Sequence, residues 1–324
     1  MGKHFVNAFT EYKSPEISNR YVKDTLSMSN EPHVEFSIVD NSLDDGNFEK
    51  LSTYYAKDYE ALEFEGKEVR KVTCDIDGRA TRILYIRNDK NTGYGSGCNL
   101  AMKAALEFLK PDYLIVSNND MKCLDDEIDL RRVDDIFMNN PQVGIVGVNI
   151  QNLDGSAQSP CRSVPFVDRW ILPELLYPFS RKFKKHTARD LIRDQQDGIV
   201  YRVRGSFMLL RPEAFVSSGG FDENLFLYGE EPTLAERMKR VGYSVYHFNG
   251  IHMLHNHVMD DRTLTNNKIK KVKQRFGSEM YYYKTYRGTP RWQIRLAEML
   301  FGQYHWRYAR YEQFKSWLVA RKQR

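Results

Sequence analysis

The chain has 324 residues, 41% of them hydrophobic and 28% charged, without internal repeats or low-complexity stretches, which excludes a disordered or fibrous protein and supplies apolar mass for one large core or one core with an appendage. No apolar run approaches the roughly 20 residues that span a bilayer. The net charge of +5 is unevenly placed: from Asp261 to Arg324 there are 16 Lys/Arg against 4 Asp/Glu, so a body carrying −7 precedes a tail carrying +12, and a basic tail points to an anionic surface as partner.

Met1-Gly2-Lys3-His4 leads into a strand-like run and lacks the form of a signal peptide, and Val6 stands where a myristoylation signal wants Ser or Thr. Residues 5–9 are predicted as a first strand, 14–29 as a helix, and the alternating 33–39 as a second strand running into the turn-rich Asp40 to Gly46. A second helix is expected near 48–55. Asp75-Ile76-Asp77-Gly78 looks like a metal-binding DxD, but it lies between two strand-like runs and Asp-Gly is a hairpin signal, so a turn is predicted there. Residues 83–86 form a short strand, followed by the glycine-rich Asn91-Thr92-Gly93-Tyr94-Gly95-Ser96-Gly97-Cys98-Asn99 and a helix over 100–109. A buried strand at 113–116 ends in Ser117-Asn118-Asn119-Asp120, and another covers 143–148. From Phe166 to Asp197 the pattern weakens and turns basic, which reads as a loop or helical insertion. Regular structure resumes at 201–210, and a helix should follow Glu231-Pro232, since proline suits a first helical position. Alternating strands and helices predict an α/β fold with a mainly parallel sheet flanked by helices. Ligands then bind beyond the carboxyl ends of the strands, where Asp40, the Gly93–Asn99 loop and Asp120 fall.

Four features carry candidate chemistry. Asp120, ending an apolar strand, is placed to hold Mg²⁺ or Mn²⁺ against a diphosphate, or merely to cap the next helix. The three glycines between strand and helix either form a tight turn or let a nucleotide approach the backbone, with Asn99 at the helix start. Glu230 and Glu231 follow an aromatic- and glycine-rich run just before a helix. Capping would explain the carboxylates alone, whereas a sugar pocket with one carboxylate as base explains the aromatics too. His252, His255 and His257 cluster after another strand, which raises the prospect of a metal or diphosphate contact. Cys74, Cys98, Cys123 and Cys161 include no CxxC pair and read as reduced thiols of a cytosolic protein.

Three segments, in order and spacing, resemble family 2 glycosyltransferases of the GT-A fold, the inverting, rhamnosyltransferase-like branch that builds bacterial surface polysaccharides such as O-antigen and capsule. They are Val39-Asp40-Asn41-Ser42-Leu43-Asp44-Asp45-Gly46, Asn91 through Asn99, and Gly205 through Glu231. The resemblance covers roughly residues 4–260. It implies that Asp40 contacts the nucleobase, that Asp120 is the metal aspartate of a DxD-like motif, that Glu231 is the base, and that His255 lies near metal and diphosphate. Asn91, Gly93, Asn99, Asn118 and Asn119 complete the implied nucleotide-binding set, with Glu230 as the alternative base. Asn118 replaces the first Asp of DxD, Glu231 stands where Asp is usual, and Thr233 stands where a further Asp is common. Neither Arg169-Trp170 nor Arg291-Trp292 has Gln three residues earlier, so the processive QxxRW motif is absent and one sugar per binding event is expected.

The resulting expectation is a GT-A domain over 1–260 with a basic, aromatic-rich helical tail over 261–324. It takes a UDP- or dTDP-sugar donor, Mg²⁺ or Mn²⁺, and a glycan or lipid-linked glycan acceptor, with no nucleic-acid partner. A nucleotidyltransferase or a non-catalytic nucleotide-sugar-binding module are the rival readings. In the tail, Trp292, Leu296, Leu300, Tyr304, Tyr308, Tyr311, Phe314 and Leu318 recur every three or four residues. That stripe either packs on the domain or anchors a cytoplasmic protein to the inner face of the membrane.

Overall fold

The computed structural model describes residues 3–29, 34–176, 190–256 and 264–302. They divide into two compact units, one of Met1–Arg162 with Leu191–Ser278, the other of Ser163–Asp190 with Glu279–Arg324. This differs from a division at residue 260. The described residues 163–176 group with those after Ser278, and the helix over Leu264–Thr285 begins in the first unit.

In chain order the first unit contains β1 (Phe5–Glu11), α1 (Pro15–Met28), β2 (Val34–Asp40), α2 (Asp45–Ser52), β3 (Glu60–Phe64), β4 (Lys67–Ile76), β5 (Arg79–Arg87) and α3 (Tyr94–Phe108). There follow β6 (Tyr113–Ser117), β7 (Met121–Cys123), α4 (Leu130–Asn139) and β8 (Val143–Asn152). After α5 (Leu172–Leu176), which lies in the second unit, come β9 (Gly198–Val200), β10 (Phe207–Leu210), α6 (Pro212–Ser218), α7 (Glu230–Arg240) and β11 (Ser244–His255). Last is α8 (Leu264–Thr285).

Among the described residues the strands form one sheet in the order β3-β4-β5-β2-β1-β6-β10-β8-β11-β7, with β9 on β11. The sheet is mixed. The central run β5-β2-β1-β6 and the pair β8-β11 are parallel, while the β3-β4-β5 hairpins and the β10 and β7 pairings are antiparallel. Parallel pairing thus falls in two blocks, β5-β2-β1-β6 and β8-β11, separated by antiparallel β10, while short turns add antiparallel β3 and β4 at one edge. The DxD look-alike is one of those turns. Asp77 and Gly78 have φ of 53° and 81°, and Gly78 N donates to Asp75 Oδ1 at 2.7 Å.

Strand alternation builds a core on each face. On β1, Phe5 and Phe9 join one cluster with Tyr21, Leu26, Phe48, Leu51 and Phe137, the inner faces of α1, α2 and α4. Val6 and Ala8 join the other, with Ala101, Ala105, Phe215, Leu234 and Met238 of α3, α6 and α7. The result is three layers, with the carboxyl ends of β1, β2 and β6 open to one edge.

In the second unit a helical turn at Val167–Ile171 leads into α5. Arg169 donates Nε and Nη2 to Glu279 at 3.0 and 2.8 Å, and Trp170 Nε1 donates to the same carboxylate at 2.9 Å. Arg169-Trp170 is therefore a structural clamp. A further helical run covers residues 291–302. Ile294 and Ala297 are buried on it, Leu296 and Leu300 are half-buried and Trp292 is 62% exposed, so the inner face runs through Ile294 rather than Trp292. Tyr304 and the later stripe residues lie outside the described residues.

Candidate active site

Strand pairing assembles the site. β6 delivers Asn118 to Asp120 past its carboxyl end, and Asn118 N donates to Ser206 O at 2.9 Å. β7 then pairs antiparallel with β11, setting His255 opposite Met121. His255 Nε2 lies 3.3 Å from Asp120 Oδ1 and 3.4 Å from Asn118 Nδ2. Asn256 N donates to Asp120 O at 2.9 Å. His252, three residues away on the same strand, faces the other way by alternation and pairs with Asp125 at 3.0 Å. His257 lies outside the described residues. The histidine cluster thus contributes His255 to the site and not His252.

The other ring nitrogen of His255 meets a residue that the sequence reading passed over. Gln158 Nε2 lies 3.1 Å from His255 Nδ1 and donates to Asn152 Oδ1 at 2.5 Å. Gln158 O accepts from Arg204 Nε at 3.1 Å, and Arg204 Nη1 lies 3.8 Å from Glu231 Oε1. One polar chain therefore runs from Asp120 through His255, Gln158 and Arg204 to Glu231.

The two glutamates occupy different environments although adjacent in sequence. Both lie in the first turn of α7, whose cap position is Gly229 at φ 86° with no side-chain cap bond; neither glutamate is the cap. The helix begins at Glu230, so Pro232 is its third residue rather than its first. Glu231 Oε1 accepts from Gly205 N at 3.3 Å. Burial alone would raise its pKa, but the guanidiniums of Arg204 and Arg202 outweigh burial and hold the carboxyl below its ordinary value. Glu230 is 5% exposed, and its Oε1 has no hydrogen-bond partner among the described residues. Burial first, and the Glu231 charge second, push it up to about 8. At neutral pH the pair is one ionised carboxylate and one neutral acid.

The glycine motif forms the tight strand-to-helix turn, one of the two readings its sequence allows. Gly93 is the cap of α3 at φ 90°, and a Cβ there would stand 2.1 Å from Phe226 O. A Cβ on Gly97 would stand 2.2 Å from Thr10 Cγ2. The segment is the first turns of α3, pressed against β1 and the loop before α7. Asn91 Oδ1 accepts from Gly93 N at 3.0 Å, a local turn. Asn99 is not at the helix start but buried in the helix. It accepts from Phe221 N and donates to Phe221 O, both at 2.9 Å, and so clamps the loop that leads to Glu230. Asn119 donates to Ser14 and Ser18 of the α1 start, at 3.3 and 2.8 Å. Asn91, Asn99 and Asn119 thus shape the site through the chain itself.

Asp40 ends β2, buried, accepting from Ser42 N at 2.8 Å and from Asn47 Nδ2 at 3.2 Å. For a cation, the donor set among the described residues is one carboxylate and one imidazole, and no group of three or more ligating side chains occurs there. A carboxylate with few protein partners fits Mg²⁺ or Mn²⁺ bound jointly with phosphate oxygens, and does not fit a closed structural site.

No protein-family model matches the chain. It is 30% identical over 177 residues, 52% of its length, to the N-acetylglucosaminyl-diphospho-decaprenol L-rhamnosyltransferases of two Mycobacterium tuberculosis strains, CDC 1551 / Oshkosh and ATCC 25618 / H37Rv. The match spans 57% of those relatives, a little over half their length. Among solved structures it is similar to the crystal structure of GalNAc-T7 with UDP, GalNAc and Mn²⁺, with a TM-score of 0.50 and 11% identity over 92% of this chain and 54% of that one. Architecture and sequence similarity agree on the fold: the chain carries the GT-A glycosyltransferase fold.

Proposed function

We propose that the chain transfers one sugar from a UDP- or dTDP-sugar to a hydroxyl of a lipid-linked glycan in surface-polysaccharide assembly, with inversion. The observation that carries this reading is the polar chain from Asp120 to Glu231, which joins a cation-binding carboxylate and an ionised base at the sheet's carboxyl edge. Glu231 accepts the proton of the acceptor hydroxyl. Arg204 and Arg202 keep it ionised for that purpose. Glu230, neutral, adds no second nucleophile, which suits single displacement through an oxocarbenium-like transition state. Asp120 and His255 would hold a divalent cation, which when bound supplies charge neutralisation on the departing diphosphate. Asp40 receives the base of the nucleotide.

The acceptor class is supported by the relatives, whose name specifies a decaprenol-linked substrate. A lipid-borne acceptor makes surface binding useful. In the second unit Leu172, Leu175, Trp292 and Met299 are each at least 40% exposed, and the sequence from Asp261 onward is strongly basic. That combination supports a peripheral anchor on anionic lipid at the inner face of the membrane.

The test is release of nucleoside diphosphate from a panel of nucleotide sugars, with and without a polyprenyl-diphospho-sugar acceptor and with and without chelator. Acceptor-stimulated, chelator-sensitive release is expected. Release of inorganic diphosphate would indicate a nucleotidyltransferase instead, and tight donor binding without any turnover would indicate a binding module.

A further inference from the structure

β1 and β2 are adjacent parallel strands that end in register on Glu11 and Asp40. Both side chains are buried, at 0% and 2% exposure. Asn47, reaching up from α2, donates Nδ2 to both, at 2.6 Å to Glu11 Oε2 and 3.2 Å to Asp40 Oδ1. Ser14 N donates to Glu11 Oε1 and Ser42 N to Asp40 Oδ1. All of these donors are neutral. A carboxyl buried beside a second one among neutral donors does not ionise cheaply, so Glu11 holds a proton. Burial pushes Glu11 up to about 7, with Asp40 beside it raising it further and Ser14 and Asn47 opposing.

Charged groups on the adjoining segments turn to solvent or to one another. Lys13 lies over the Tyr12 ring, and Glu16 on α1 is exposed. Asp44 accepts from Gly46 N, and Asp45 pairs with Arg87. No cation among them stands in for the proton.

We propose that Glu11 is a positioning residue for the donor base: its proton bonds the Asp40 carboxylate and fixes it as acceptor for the imide N–H of a pyrimidine, so that donor binding requires Glu11 in its neutral form. This rests on the reading that Asp40 receives the nucleobase. Loss of the proton leaves two adjacent anions. Asp40 then loses its donor and is repelled by Glu11, and an anionic nucleotide meets one more negative charge.

The experiment is calorimetric titration of the full chain, with Mg²⁺, using UDP-glucose and dTDP-glucose, whose diphosphate diesters do not titrate near neutrality. The wild type should bind about tenfold more weakly near pH 8.5 than near pH 6, the equivalent of about one pKa unit. Glu11→Gln, which keeps a neutral donor beside Asp40, should bind with little pH dependence and as tightly as the wild type at low pH. As a measurement on the wild type alone, binding near pH 7 in buffers of different ionisation heat should reveal proton uptake. A flat wild-type profile without proton uptake overturns the inference and leaves the donor reading standing. A Glu11→Gln chain that folds but binds weakly at every pH also overturns it. Failure of both sugar nucleotides to bind at any pH overturns the donor reading and the inference together.

Discussion

At the scale of single residues, the site is a division of labour set by environment. Glu231 and Glu230 share a helix turn, yet two guanidiniums ionise the first and burial neutralises the second. A base acts only in the chemical step, so Glu231→Gln should lower kcat by about 10²–10⁴-fold with little change in donor Kd, as read by steady-state kinetics and donor titration. Glu230→Gln should be much milder, and a reversal of the two phenotypes would exchange their roles. Gln158 holds the ring of His255 from behind. Residues that orient a ligand are worth about 10–100-fold in metal affinity, so Gln158→Ala should weaken Mn²⁺ binding, followed by electron paramagnetic resonance, by about that factor. Asp120→Ala should abolish the same signal while the protein stays folded. Asp120 and Glu231 were readable as candidates because each adjoins a strand or helix end with a recognisable local pattern. Gln158, Arg204 and Glu11 were not, because each gains its meaning from a partner in another strand or helix.

At the scale of elements, the glycine-rich segment shows close packing at a helix start. Its glycines let α3 press against β1 and against the loop carrying Phe221 and Phe226. Gly93→Ala would meet both a backbone oxygen and a left-handed φ, and should destabilise the fold by several kcal/mol by the roughly 1–3 kcal/mol of backbone strain plus the cost of displacing Phe226. Asn99→Ala strips a buried clamp from Phe221 and should cost about 1–3 kcal/mol in urea denaturation. Neither change touches the polar chain from Asp120 to Glu231, so residual activity at low temperature is expected from whatever fraction remains folded. His252 and His255 illustrate the same scale: the strand was predicted, but the face that each histidine takes depends on the register of β11 with β7.

At the scale of the whole molecule, two buried glutamates give stability a definite pH dependence. The carboxyls of Glu11 and Glu230 rise from an ordinary 4.5 to about 7 and about 8. Such groups favour the folded state fully below the unfolded value, and that contribution is lost as pH rises through the folded values. Between about pH 4.5 and 8, therefore, these two groups should make the chain less stable as pH increases. The double variant Glu11→Gln, Glu230→Gln should gain stability over the wild type as pH is raised from about 5 to about 8, by several kcal/mol in urea denaturation. A gain of equal size at both pH values would refute the assignment. The basic second unit predicts a second whole-molecule property. The full chain should float with anionic liposomes at low salt and release at high salt, and a chain ending at Tyr286 should not float. No response of the full chain to anionic liposomes at low salt would end the membrane proposal.

What the sequence determined by itself was the class of fold, the hairpin at Asp77-Gly78 and the order of the three motifs, because those rest on periodicity and turn chemistry within a few neighbouring residues. The identity of Asp120 and Glu231 as a carboxylate at a strand end and one at a helix start was likewise local. Only the tertiary structure decided which histidine faces Asp120, that Asn99 bonds the Phe221 backbone and Asn119 the start of α1, and that Glu11 stands beside Asp40. Each of those depends on strand register, crossover or burial, and so on contacts between residues tens to more than a hundred positions apart, whose energies no local pattern encodes.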